Sequence, residues 1–256
     1  MIGENKSLEI IDKIIKDSSA DQTEVILGYN RGYLTRFAQN SIHQNVGLEE
    51  TFVSVRVIIG KKQGVATIRS INEQDLKKVL ERAIKIAQCQ KENPDFISLP
   101  SKVVPEQEKK EVKTYYEETA NFDAQARAEK VKMIVDRVKD KHIEAAGAFA
   151  CEQEEVAIGN SLGVRVYQKA TKADLNMVLT NEAGGTSFGQ YLTANIETIP
   201  FEKFIDEVLF VCLNSKNPIE VKRGEYTVFL EPYAVGTLLN FLSYLGFGAK
   251  SLREHR

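Results

Sequence analysis

The chain has 256 residues, 43% of them apolar, with 34 basic and 36 acidic side chains and a formal net charge of −2. That is enough for one or two ordinary cores, and the interspersed charges leave no electrostatic footprint for a nucleic-acid or membrane partner. No apolar run approaches the roughly 20 residues that span a bilayer, and the first residues lack a basic region, apolar run and cleavage site, so the expected location is the cytoplasm.

A helix is expected over 7–16, where Leu8, Ile11, Ile14 and Ile15 form one stripe between charged residues. Alternating segments follow at 23–28, 33–37, 42–46 and 52–59, the last with Val53, Val55 and Val57 in phase. Gly and Asn at 30–32, 40 and 47 read as the punctuation of antiparallel hairpins, and a turn at 60–64 returns the chain into 65–68. Asn72 stands three residues ahead of Asp75, a helix start, and Leu76, Val79, Leu80, Ala83, Ile84 and Ala87 recur at helical spacing. A first helix, meander and helix unit thus occupies 1–92.

Pro94, Pro100 and Pro105 among charged residues mark 93–113 as an extended linker. A second unit, 114–220, opens with a helix over 123–139 carrying Val131, Ile134, Val135 and Val138. Its expected strands are 145–152, 155–158, 164–169, 173–179 and 189–196. Thr198 and Pro200 then signal a helix bearing Phe201, Phe204, Ile205, Val208, Leu209 and Cys212. Val55-Arg56-Val57 recurs as Val164-Arg165-Val166, a match too short to establish duplication. Residues 221–256 carry a turn, a strand over 226–230 and a helix from Pro232, too little to bury its own surface. The fold class is therefore α+β: two consecutive helix, antiparallel sheet, helix units joined by a proline-containing linker, plus the first strand and helix of a third domain.

Few residues offer chemistry. Gly185-Thr186-Ser187-Phe188-Gly189 has the spacing of a nucleophile elbow, yet 190–196 alternates instead of turning into a helix, so a glycine-rich hairpin turn is the better reading. His43, His142 and His255 are single and scattered, and His142 suits the carboxy-terminal end of a helix, where a cation is favoured. Cys89, Cys151 and Cys212 read as buried thiols. Residues 159–163 and 246–248 have glycines without the spacing of a phosphate loop.

Four stretches together resemble the TldD/PmbA family: Leu34 through Gln44; Val55-Arg56-Val57 through Gly64 into the helix over 79–87; Gly159-Asn160-Ser161-Leu162-Gly163-Val164; and Leu230-Glu231-Pro232 through Leu239. The resemblance implies one of two kinds of subunit. TldD-like members carry His-Glu and a second His five positions after the first, a zinc metallopeptidase site. PmbA-like members, also called TldE, lack that motif and pair with a TldD-like partner in a peptide-cleaving complex with an enclosed chamber. Here the three positions fall on Asn240, Phe241 and Leu245. Asparagine is a poor zinc ligand, and phenylalanine and leucine can neither bind a metal nor move a proton.

The resemblance thus implies a non-catalytic PmbA-like subunit with no catalytic, metal or cofactor residues of its own, and zinc only in a TldD-like partner. The expected ligand is an extended peptide; a homodimer is an alternative assembly. Relatives would continue beyond Arg256, so a truncated chain is expected. Two other functions stay open: an independent hydrolase using Ser187 or Cys151, and a stand-alone binding protein of the gyrase-modulator kind.

Overall fold

The computed structural model describes residues 1–101, 112–215 and 219–253, which fall into two units, Met1–Pro218 and Ile219–Arg256. In the first unit β-branched and aromatic residues alternate over long stretches, and the strands they form are longer than the short segments expected. They are β1 (Gln22–Ala38), β2 (Ser41–Ile59), β3 (Lys62–Ile68), β4 (Ile143–Asn160), β5 (Arg165–Asn181) and β6 (Thr186–Thr193). All pair antiparallel in the order β3-β2-β1-β4-β5-β6.

Several expected breaks are not breaks. Asn30 and Gly32 lie within β1, paired on one side with Glu50 and Leu48 and on the other with Glu154 and Glu152; Gly47 lies within β2 opposite Tyr33. Backbone ladders on both sides of β1 hold these residues extended and override their turn preference. The expected strands 145–152 and 155–158 are likewise one strand, as are 164–169 and 173–179. The last strand ends at Thr193, before Ile196, which sits in a short 3-10 turn. The pairing of β1 with β4 over Glu24–Phe37 merges both helix, sheet, helix segments into one sheet.

Four main helices pack on this sheet. They are α1 (Glu4–Asp17) and α2 (Glu73–Cys89), then, after the single-turn α3 (Glu117–Ala120), α4 (Ala124–Val138) and α5 (Phe201–Asn214). The Asn72 side chain caps α2, accepting the Asp75 N–H at 2.9 Å, and Asp123 does the same for α4 through the Ala126 N–H at 2.8 Å. Gly64 lets α2 lie directly on β3, since a Cβ there would overlap backbone atoms of Ala83 and Ala87.

Val25, Leu27, Thr35 and Phe37 share one parity on β1, so they face the same side of the sheet. Val25 and Leu27 belong to a core with α1 and α2; Phe37 belongs to a core with α4 and α5. Both cores therefore lie on one face. The other face carries polar pairs, among them Arg56–Glu24 at 2.8 Å, Lys172–Glu152 at 2.8 Å and Gln190–Asp174 at 2.9 Å. At one end of it Gln22 accepts from Leu99 N–H at 2.8 Å, and Asn160 donates to the Pro100 carbonyl at 2.8 Å. These contacts bind residues before position 101 to the sheet. Residues 112–116 run beside β5, where Thr171 N–H donates to the Thr114 carbonyl at 2.9 Å.

The second unit contains α6 (Pro232–Gly246) and the short α7 (Ala249–Arg253). Residues 226–230, expected as a strand, belong to no sheet. A strand exists only with a ladder partner, and the described residues of this unit supply none.

Candidate functional site

On α6, Phe241 and Leu245 lie one helical turn apart, with Asn240 beside Phe241. The Asn240 carbonyl accepts a hydrogen bond from Ser243 Oγ at 2.8 Å. Leu238, Leu239, Phe241, Leu242, Tyr244 and Leu245 are all exposed, so the unit does not bury its own apolar helix. No group of three or more His, Cys, Asp and Glu side chains converges among the described residues.

The two candidate nucleophiles lie on the sheet and are not brought together. Ser187 is in β6 opposite Leu179, buried, with its hydroxyl near the Cys212 thiol. The hairpin turn precedes it, closed by Gly184 N–H donating to the Asn181 carbonyl at 3.1 Å, with Gly184 at φ 79°. Ser187 is thus a strand residue and sits on no elbow. Cys151, on β4, is buried, and burial pushes its thiol up to about 12 despite the nearby Arg127 guanidinium. A thiol held protonated is a poor nucleophile. Burial also raises the Cys212 thiol. Cys89, expected to be buried, is exposed near the end of α2, on the helix face turned from the sheet.

His43 is exposed on β2. His142 follows the 3-10 turn after α4 with φ 53°, and its Nδ1 lies 3.2 Å from a Glu182 carboxylate oxygen. It lines an open cleft of about 510 Å³ with Asn40, Lys139, Glu144 and Glu182. His255 lies outside the described residues.

Between the two cores the helix-bearing face is polar, a feature the pattern of apolar residues did not single out. Arg127 is 1% exposed, donating through Nε to Thr35 Oγ1 at 3.0 Å and through Nη1 to the Phe122 carbonyl at 2.7 Å. The guanidinium groups of Arg31 and Arg127 both stack on the Tyr33 ring, at 5.5 and 5.4 Å from its centroid. Burial lowers the Arg127 pKa. With its amide oxygen turned toward Arg31, Gln153 accepts from Arg31 Nε at 2.8 Å. Tyr29 donates to Glu49 at 2.9 Å, and burial with this bond lifts its hydroxyl to about 12. These side chains satisfy one another. Their consecutive placement at 29, 31 and 33 on β1 was the available signal.

Residues 23–87, from β1 through nearly all of α2, match the family model for PmbA/TldA metallopeptidase domain 1. Over these residues the chain is similar to that family. Solved structures extend the fold likeness beyond that segment. TldE from Thermococcus kodakarensis is 20% identical over 81% of this chain and 47% of its own, with a TM-score of 0.66. A protein described as a modulator of DNA gyrase from Bacteroides thetaiotaomicron is 15% identical over 99% of this chain and 60% of its own, with a TM-score of 0.82. Another so described, from Thermotoga maritima, is 16% identical over 85% of this chain and 50% of its own, with a TM-score of 0.71. The chain therefore spans about half the length of these structures. A comparison with curated proteins finds no match. No helix among the described residues is long and apolar enough to cross a membrane.

Proposed function

We propose that this chain is a non-catalytic, TldE-like subunit of a TldD/PmbA-type metallopeptidase assembly that acts on extended peptides in the cytoplasm. One observation carries the reading: α6 holds Asn240, Phe241 and Leu245, the residues that the resemblance sets against the His, Glu and His of a catalytic relative. Asparagine is a poor zinc ligand and the other two side chains offer neither a ligand nor a proton, so metal and proton transfer fall to a TldD-like partner. The likeness to a structure named TldE supports the same assignment. The burial of Ser187 and the protonated Cys151 thiol weigh against an independent hydrolase.

Co-expression with a TldD-like protein from the same source is expected to yield a stable complex whose peptidase activity a chelator abolishes. Peptide hydrolysis by this chain alone, unaffected by chelator, would overturn the proposal, as would a failure of the two proteins to associate. A second reading, a binding protein that modulates another target, draws on the description of two structural neighbours as gyrase modulators. Affinity capture that retains gyrase with no TldD-like protein would favour it.

A further inference from the structure

β3 ends the sheet, and its outer edge has no strand partner among the described residues. The two-residue turn Gly60-Lys61, with Gly60 at φ 61°, joins it to β2, so the ladder bonds to β2 fall on Lys62, Gly64, Ala66 and Ile68. The backbone N–H and C=O groups of Gln63, Val65 and Thr67 therefore face outward. Charge around this edge is one-sided. From Lys61 to Lys91 eight basic residues stand against three acidic ones, a surplus of five in a chain whose net charge is −2. α2 lies over β3, and α1 approaches it on the flank of Glu73, whose carboxylate is 2.7 Å from Lys13 Nζ. The exposed row Lys78, Arg82 and Ile86 thus runs along the opposite flank, on the side of the β3 edge. Lys78 pairs with Asp75 at 3.1 Å, whereas Arg82 has no ion pair among the described residues. Near the two ends of the edge, Lys61 and Lys62 donate to the Pro94 and Gln88 carbonyls, and Arg69, 79% exposed, lies 3.6 Å from Glu50.

We propose that this edge binds an acidic peptide in extended conformation, which adds to β3 as a further strand. Backbone bonds to Gln63, Val65 and Thr67 hold the peptide, and its side chains alternate between the two faces of the sheet. On the helix-bearing face acidic side chains meet Arg82, with Lys61, Lys62 and Arg69 toward the ends. On the other face apolar side chains lie beside Val65, which is 51% exposed. A second copy of the chain suits this edge poorly. Paired antiparallel about Val65, two β3 strands would set Lys61 against Arg69 twice and bring two basic flanks together. The cations that repel a like edge attract an acidic strand. The inference uses the first unit alone and does not rest on the partnership proposed through α6.

β3 has seven residues, so the probe is a fluorescein-labelled heptapeptide of alternating glutamate and valine. The full chain, in chelator and with no TldD-like protein, should bind it saturably by fluorescence anisotropy. The same peptide with lysine for glutamate should bind at least about tenfold more weakly. Arg82→Glu should weaken the acidic peptide at least about tenfold with an unchanged unfolding midpoint, and about 0.5 M salt should act in the same direction. Strand addition uses the amides of every second peptide residue, so of two peptides N-methylated on alternate sets, one should lose binding and the other keep it. An absence of saturable binding, equal binding of the lysine peptide, an unaffected Arg82→Glu variant or equal effects of the two methylations would overturn the proposal. So would a dimer that Arg82→Glu dissociates, since a second copy would then occupy the edge.

Discussion

The Glu155 carboxylate accepts the backbone N–H of Gly3 at 3.0 Å, across 152 positions of sequence. It also accepts from Ile2 N–H at 2.6 Å and from the Tyr167 hydroxyl at 2.6 Å, and Glu155 is only 1% exposed. Gly3 is the N-cap of α1, and Glu155 on β4 takes its backbone N–H, the donor that a Glu at the third helical position takes in a capping box; here that position is Lys6. Glu155→Ala strands these donors and should cost about 2–3 kcal/mol by urea unfolding. Native-state hydrogen exchange should show α1 loosening first.

Arg127 makes a second long-range connection, carrying charge into a region without a carboxylate within ion-pair distance among the described residues. Removing its hydrogen bonds to Thr35 and Phe122 and its stacking on Tyr33 by Arg127→Ala should destabilise the fold by about 2–4 kcal/mol. Arg127→Met retains most of the volume and should cost less than the alanine variant. Equal losses for the two would show that packing volume contributes little at this position.

Thiol chemistry distinguishes the three cysteines. In the native state at pH 8, iodoacetamide should modify Cys89 alone, and mass spectrometry should find one adduct, rising to three in denaturant. Cys151 is buried and protonated until about pH 12, so its replacement by Ser should leave any peptidase activity of an assembled complex unchanged.

Alkaline pH should weaken the fold in a definite window. Tyr29 ionises near 10 when unfolded and about 12 when folded, so the native state holds its proton more tightly. That contribution is fully present below pH 10 and is lost as pH rises through about 12. The raised Cys151 thiol acts in the same direction from about pH 9 upward. Tyr29→Phe should flatten the decline between pH 10 and 12 in unfolding measurements, and tyrosinate absorbance should lose a late-titrating component.

Helix capping offers a smaller, local test. Asn72→Ala removes the acceptor of the Asp75 N–H at the start of α2 and should cost about 1 kcal/mol, while Asn72→Ser, which keeps an acceptor without a second carboxylate beside Asp75, should cost less. A circular-dichroism melt compared across the three proteins measures it.

Local rules made the helices legible. The stripe from Leu76 to Ala87, the Asn72 cap and the stripes of α1, α4 and α5 follow from periodicity of 3.6 and from short-range hydrogen bonding, which need no distant partner. The zinc-binding chemistry that Asn240, Phe241 and Leu245 offer, weak for the first and none for the others, is likewise a property of the side chains themselves. Tertiary pairing decided the rest. Asn30, Gly32 and Gly47 favour turns in isolation, yet ladders to β2 and β4 keep β1 and β2 straight through them. No local signal could reveal that β1 would meet β4 and fuse two segments into one sheet, or that Glu155 would cap a helix more than 150 residues away. Such contacts are chosen by which buried surfaces and backbone ladders are satisfied together, and only the folded chain brings those partners into reach.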